Sequence, residues 1–280
     1  VTADKTVNLP LRAFLLVLTI AAGEAVRIQL SEPGAPEWAT LAKSAGPIAI
    51  YAMLHAAVLG WFAARSAWPR MRLFGAMFLA LFGIQSVLPY AEVLYFGEAL
   101  PFSPDDVALM PVAALPASAL SAAAAVFLFG GLSVRNEPAP VKANASIVSW
   151  LWRVAAAGAA YAILYFLAGI LIVNVHDFAR EFYGNVGASI DPVGLLFFQI
   201  ARGAVWALMA MPLLASQTTS PWERSNALGA AFVVFVGALL LAENPLLPGQ
   251  MRMLHLIEIS LSNFLFGFVA GYLLTPLVRR

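Results

Sequence analysis

The sequence predicts an all-α, polytopic integral membrane bundle of about eight transmembrane helices. Three observations carry that expectation. Of the 280 residues 61% are hydrophobic and only 11% charged, far too apolar a composition for an ordinary water-soluble domain. The apolar residues gather into eight segments close to the ~20 residues that a helix needs to cross a hydrocarbon core. The breaks between the segments are turn-like and short, and basic and acidic residues sort to opposite ends.

Taken in order, the segments fall near 11–29, 46–65, 73–97, 107–132, 147–174, 192–215, 226–247 and 251–278. The first, "LRAFLLVLTIAAGEAV", has a basic start, a short apolar run and small residues at its end, a pattern that also describes a secretory leader. Its apolar character continues past Glu24, which favours a retained span. "SEPGAPEW", "ARSAWPRMR", "GEALPFSPDD", "RNEPAPVKANAS", "GNVGASIDP", "QTTSPWERSN" and "NPLLPGQ" separate successive segments, rich in Pro, Gly, Asn and Ser, and none could hold a soluble domain. The expectation is a single transmembrane domain over 1–280.

Lys and Arg are retained on the cytoplasmic side of short loops. With both termini cytoplasmic, 11 of the 16 basic residues fall on that side, leaving Arg27, Lys43, Arg180, Arg202 and Arg252 in the outer half. Of the 15 acidic residues only Asp4, Glu137 and Glu223 fall inside. The expected location is therefore a multi-pass position in a cell membrane of the bacterial inner-membrane kind. Cysteine is absent, which removes disulfides and thiolate chemistry. There is no Walker loop, Rossmann fingerprint, nucleophile elbow or basic patch for nucleic acid, so the bilayer and a small-molecule or lipid ligand are the partners to consider.

Residues 46–61, "GPIAIYAMLHAAVLGW", lie without a gap over 191–206, "DPVGLLFFQIARGAVW", pairing Pro47 with Pro192 and Trp61 with Trp206. "FLFG" recurs at 127–130 and 264–267. Both matches suggest a parallel repeat of halves 1–140 and 141–280, with four helices each. In that register Ser118 and Ser121 occupy the places of His255 and Glu258.

Ionisable groups inside a span cost several kcal/mol unless they face protein, water or a partner. In "MRMLHLIEISLSNFLFGF" (251–268), Arg252, His255, Glu258, Ser262 and Asn263 fall within about 140° of a helical wheel, so this helix turns one polar face inward. At 1.5 Å per residue His255 and Glu258 lie about 6 and 10 Å below the outer end, with Gln199 and Arg202 about 10 and 15 Å down the sixth span. His55 lies about 14 Å down the second, with Glu24 and Glu92 within about 8 Å of their outer ends. Gly267 and Gly271 form a G-x-x-x-G that permits close helix approach. His176, in "NVHDFAREFYG", marks an outer interfacial segment with Phe178, Phe182 and Tyr183 as anchors, or a lid over the pocket.

These residues support a leading expectation and two others. The first is an outward polar pocket that binds a metal ion or a lipidic or small polar ligand, with catalysis left open. In its metal form His255, Glu258 and one of Glu24 or Glu92 ligate a divalent ion, His55 is a fourth ligand or general base, and Arg202 holds an anionic substrate group. The second is a proton- or cation-coupled transporter using Glu92 and Glu258. The third is a non-catalytic membrane subunit whose buried charges, Arg202 and Arg252 with Glu92, Glu258 or Glu24, only pair with one another.

Overall fold

The computed structural model describes residues 8–31, 38–97, 104–130, 146–187, 190–242, 247 and 249–278. Of the sorted charges, Asp4, Lys5, Glu32, Glu37, Glu98, Arg135, Glu137, Lys142, Glu243, Arg279 and Arg280 lie outside the described residues. The helices are α1 (Leu9–Ser31), α2 (Trp38–Ala64), α3 (Arg70–Phe82), α4 (Leu88–Phe96), α5 (Pro104–Phe129), α6 (Ile147–Val175), α7 (Asp177–Gly187), α8 (Pro192–Ala215), α9 (Pro221–Phe232) and α10 (Gly249–Val278). A π-helical segment, Gly83–Val87, joins α3 to α4, and another, Val233–Gly237, continues α9 into a short 3₁₀ turn at Ala238–Leu241. Eight spans are long and apolar enough to cross a membrane, as the sequence predicts. α7 is a short helix outside them.

The third and seventh spans are not the uninterrupted helices expected. Each runs as α-helix for about three turns and then widens to π geometry. In the third, Pro89 lacks the N–H that an α-helix would return to the Gln85 carbonyl, and the Ile84 carbonyl instead accepts from Trp206 Nε1 at 3.3 Å.

The first four spans (the first half) and the last four (the second half) meet at several points, with α7 and the Ala238–Leu241 3₁₀ turn belonging to the second. Ala67 N–H donates to the Ser216 carbonyl at 2.9 Å and Thr218 N–H to the Arg65 carbonyl at 3.3 Å, closing a bridge between Ser66 and Gln217, 151 positions apart. Gln217 Nε2 then donates to the carbonyls of both Phe62 and Leu213, the last turns of α2 and α8. On α8 Trp206 meets the first π segment, and on α2 His55 stacks on Phe235 of the second at 5.8 Å. Arg12 on α1 donates to the Leu128 carbonyl of α5, and Arg153 on α6 to the Leu273 carbonyl of α10.

These contacts give registers that the sequence matches miss. Helices α2 and α8 end 151 positions apart, not the 145 of the Pro47–Pro192 pairing. Gly130 follows the end of α5, whereas Gly267 sits in mid-α10 against α9, so the two FLFG stretches are not structurally equivalent. The pairing of Ser118 and Ser121 with His255 and Glu258 falls with them. Gly267 does permit close approach: a Cβ there would stand 2.7 Å from the Leu228 carbonyl oxygen.

Each half packs its first helix on its second and fourth, and its third on its fourth. At the centre of the second half Tyr161, Trp206, Phe232 and Phe266 meet edge to face at 4.9–5.6 Å. The exposed apolar side chains, such as Leu151, Leu167 and Leu171 of α6, form the faces that lipid would cover. Arg12, Arg65, Arg70, Arg72, Arg153 and Arg224 lie at the end where α1 begins, the basic end; Glu24, Glu92, Arg252 and His255 lie toward the opposite, acidic end.

Candidate functional site

The ionisable residues of the acidic half form two groups, where the sequence suggests one cavity. In the first half, Glu24 is buried and takes both Arg27 nitrogens, Nε at 2.8 Å and Nη2 at 2.5 Å, one helical turn along α1. Arg27 therefore satisfies the carboxylate that was expected to join Glu92, His255 and Glu258. Around the pair stand Tyr51, Gln85, Ser86, Ser118 and Ser121, enclosing a cavity of about 10 Å³, room for about one water. Gln85 Nε2 donates to the Tyr51 hydroxyl at 2.6 Å.

His55 belongs to this first group and not beside Arg202. Its ring lies between Tyr51 and Phe235, at 3.9 and 5.8 Å. Nδ1 contacts the Tyr51 carbonyl at 2.9 Å, which requires the proton on Nδ1 and leaves Nε2 as a buried acceptor without a partner. A stacked core histidine describes it better than a general base shared with the second group.

In the second half, Arg202 on α8 pairs with Glu92 of α4 at 2.5 Å, crossing from one half of the chain to the other. The guanidinium also lies over Trp206 at 4.4 Å and near Tyr161 at 5.6 Å. On α10 the inward polar face is as expected: Arg252, His255, Glu258, Ser262 and Asn263 turn in, while Met253, Ile257 and Leu261 are exposed. Glu258 does not pair with Arg202; it contacts His255 Nδ1 at 2.7 Å, and the same nitrogen meets the Tyr183 hydroxyl at 3.2 Å. Thus Tyr183 of α7, not His176, is the residue that folds over this group. His176 ends α6, with its ring tilted against Phe178. Burial, and next the nearby Glu258 carboxylate, push the Tyr183 hydroxyl pKa up.

The distinctive feature of the second group is what it leaves unmet. Gln199, fully buried one turn before Arg202 on α8, makes no well-formed hydrogen bond at either amide atom, although the Tyr165 side chain stands beside it, and Arg202 Nε makes none either. The same holds for Nε and Nη1 of half-buried Arg252 and for Oδ1 of Asn263. An unmet buried polar atom costs about 1–3 kcal/mol, so several together on facing helices demand an explanation. Tyr161 and Tyr165 were missed in the sequence, although a tyrosine far from the interface is itself a sign of a polar interior.

Among the described residues no three His, Asp or Glu side chains stand close enough to share a metal ion. Neither Glu24 nor Glu92 joins His255 and Glu258, because Glu24 is held by Arg27 and Glu92 by Arg202. The class that fold and site define is a helical multi-span membrane protein with buried polar groups. No protein-family model, curated protein or solved structure matches the chain.

Proposed function

We propose that the chain is a tandem pair of four-span units whose second unit holds a binding site for a small uncharged polar group, a hydroxyl or an amide carried by a small molecule or a lipid. Gln199 carries this reading: it offers one donor and one acceptor, both buried and both without partners. Arg202 and Arg252 balance Glu92 and Glu258, so the site asks for no net charge from its ligand. Arg202 Nε supplies a further donor, while Tyr161 and Trp206 wall the guanidinium. Entry is from the acidic end, past Tyr183, which the charge sorting assigns to the outer face with both termini cytoplasmic.

The test is thermal unfolding in detergent against a panel of small alcohols, small amides and diacylglycerol. A stabilising compound should lose its effect in Gln199→Leu. A shift of unchanged size in that variant would place binding elsewhere. Reporter fusions after Arg280 and within 98–103 should report opposite sides of the membrane, and the same side for both would remove the outer entry route.

One observation favours a second reading. The two π segments break corresponding spans of both halves, and interrupted helices in matched repeats are a feature of transporters. Glu92 and Glu258 would then be the groups that couple transport to a cation. Uptake into vesicles that survives Glu92→Gln and Glu258→Gln together would contradict that coupling.

A further inference from the structure

The basic ends of the two halves differ in a way that points to a second binding site. Between α9 and α10 the helices touch: a Cβ on Gly271 would stand 2.7 Å from Ser225 Cα, and Trp222 packs edge-on against Phe268 at 4.9 Å. The bridge and helix ends relate α3 to α9 by 151 positions, and the Leu128 and Leu273 carbonyls relate α5 to α10 by 145. Val126 therefore replaces Gly271, Phe74 replaces Ser225, Met71 replaces Trp222 and Ala123 replaces Phe268. Where the second half has two small residues in contact it closes, and where the first has the larger Phe74 and Val126, both line an open space. Where the second half fills the surface with two rings, the first has Met71 and Ala123.

The result is an apolar groove of about 360 Å³ between α3 and α5, lined by Met71, Phe74, Ala123, Val126 and Phe127 with Arg70 at its mouth. That volume lies within the ~300–1,000 Å³ of small-ligand sites. Arg70 is the first residue of its span, so the mouth lies at headgroup depth and the groove descends among acyl chains. Arg70 is exposed and makes no ion pair among the described residues, while Arg72 lies over Trp68 at 3.8 Å. The one described carboxylate at this end, Glu223, caps α9 through Ser220.

We propose that this groove seats one acyl chain of an anionic phospholipid, with the phosphate against Arg70. Apolar walls suit a hydrocarbon chain, and the unpaired guanidinium suits a phosphate oxygen. In the second half the Gly271–Ser225 approach and the Trp222–Phe268 packing take up the corresponding space, and Pro221 stands in place of Arg70. The inference is independent of the Gln199 site, which lies toward the other end of the bundle.

Native mass spectrometry of the detergent-solubilised chain, titrated with phosphatidylglycerol and phosphatidylcholine, tests it. One tightly retained lipid is expected, with a preference of about fivefold for phosphatidylglycerol, the factor given by ~1 kcal/mol per basic residue near a lipid surface. Arg70→Gln, an exposed change that leaves the packing intact, should remove the preference while a lipid is still retained. Met71→Trp with Ala123→Phe copies the second half and should abolish retention of both lipids. Retention undiminished in the filled variant, or a preference undiminished in Arg70→Gln, would overturn the proposal; should the filled variant fail to fold, the Arg70→Gln result decides alone.

Discussion

In the first half of the chain a buried acid is satisfied by its own helix, whereas in the second a buried base reaches across the molecule. Glu24 takes Arg27 from α1, and Gln85 completes Tyr51. Arg202 takes Glu92 from the other half and leaves its Nε, and all of Gln199, unmet. Under the registers set by the bridge and by Arg12 with Arg153, Tyr51 corresponds to Arg202 and Glu24 to Tyr165. Tyrosine and charge have changed places on one framework. Two groups can therefore share a scaffold while one answers its charges within a single helix and the other leaves buried polar atoms unmet.

The comparison breaks most visibly at the ion pairs. Glu92→Leu leaves an arginine that cannot shed its charge, with its side chain only 5% exposed, and should cost about 3 kcal/mol of stability in detergent. Arg27→Leu leaves a carboxylate that can be neutralised by taking up a proton, and should cost nearer 1 kcal/mol. Glu92→Leu with Arg202→Met should recover much of the larger loss. Equal losses at Glu92 and Arg27 would erase the distinction between the halves.

Packing at the matched fourth helices gives the next effect. Gly267→Ala drives a methyl against the Leu228 carbonyl and Gly229 and should cost about 1–3 kcal/mol. Its counterpart 145 positions earlier is Ala122, which is already fully buried with its methyl in place. Ala122→Gly should cost only about 1 kcal/mol, mainly through helix propensity. Thermal unfolding of both variants checks the register directly.

Smaller still is the pair that meets the π segments. Trp206→Phe loses the bond to the Ile84 carbonyl and should cost at least about 1 kcal/mol. His55→Phe removes an unmet nitrogen and should be neutral or stabilising.

The smallest effect should be seen only in alkali. Tyr183 has its folded pKa raised, so its contribution is full below the unfolded value near 10 and is lost as pH rises toward the folded one. Wild type should lose stability above about pH 10 faster than Tyr183→Phe, and the two should run parallel between pH 7 and 9. Parallel curves through pH 11 would show that Tyr183 does not contribute.

The spans were legible because each must supply about 20 apolar residues and has little choice in where it stops. The inward face of α10 was legible for a similar reason: 3.6-residue periodicity places Arg252, His255 and Glu258 together whatever surrounds them. A wheel shows which face is polar but not which helix stands opposite, so Glu24 was grouped with His255 although Arg27, one turn away, already answered it. The register between halves was displaced because apolar residues replace one another freely, and Trp61 over Trp206 carried more weight than the shared helix ends. The π segments left no periodic trace; in the fold the first shows itself in the Ile84 carbonyl that Trp206 satisfies.

Gln85 and Gln199 are both buried, one in each half, and differ in what they meet. Gln85 donates to Tyr51, so Gln85→Leu strands a buried hydroxyl and should lower stability by about 1–3 kcal/mol. Gln199 has no partner, so Gln199→Leu should raise the stability of the ligand-free protein by a similar amount. Thermal unfolding of the two variants in detergent, with no ligand added, should therefore give shifts of opposite sign. A fall in both would mean that Gln199 is held by structural partners, and would contradict an open site in the second half.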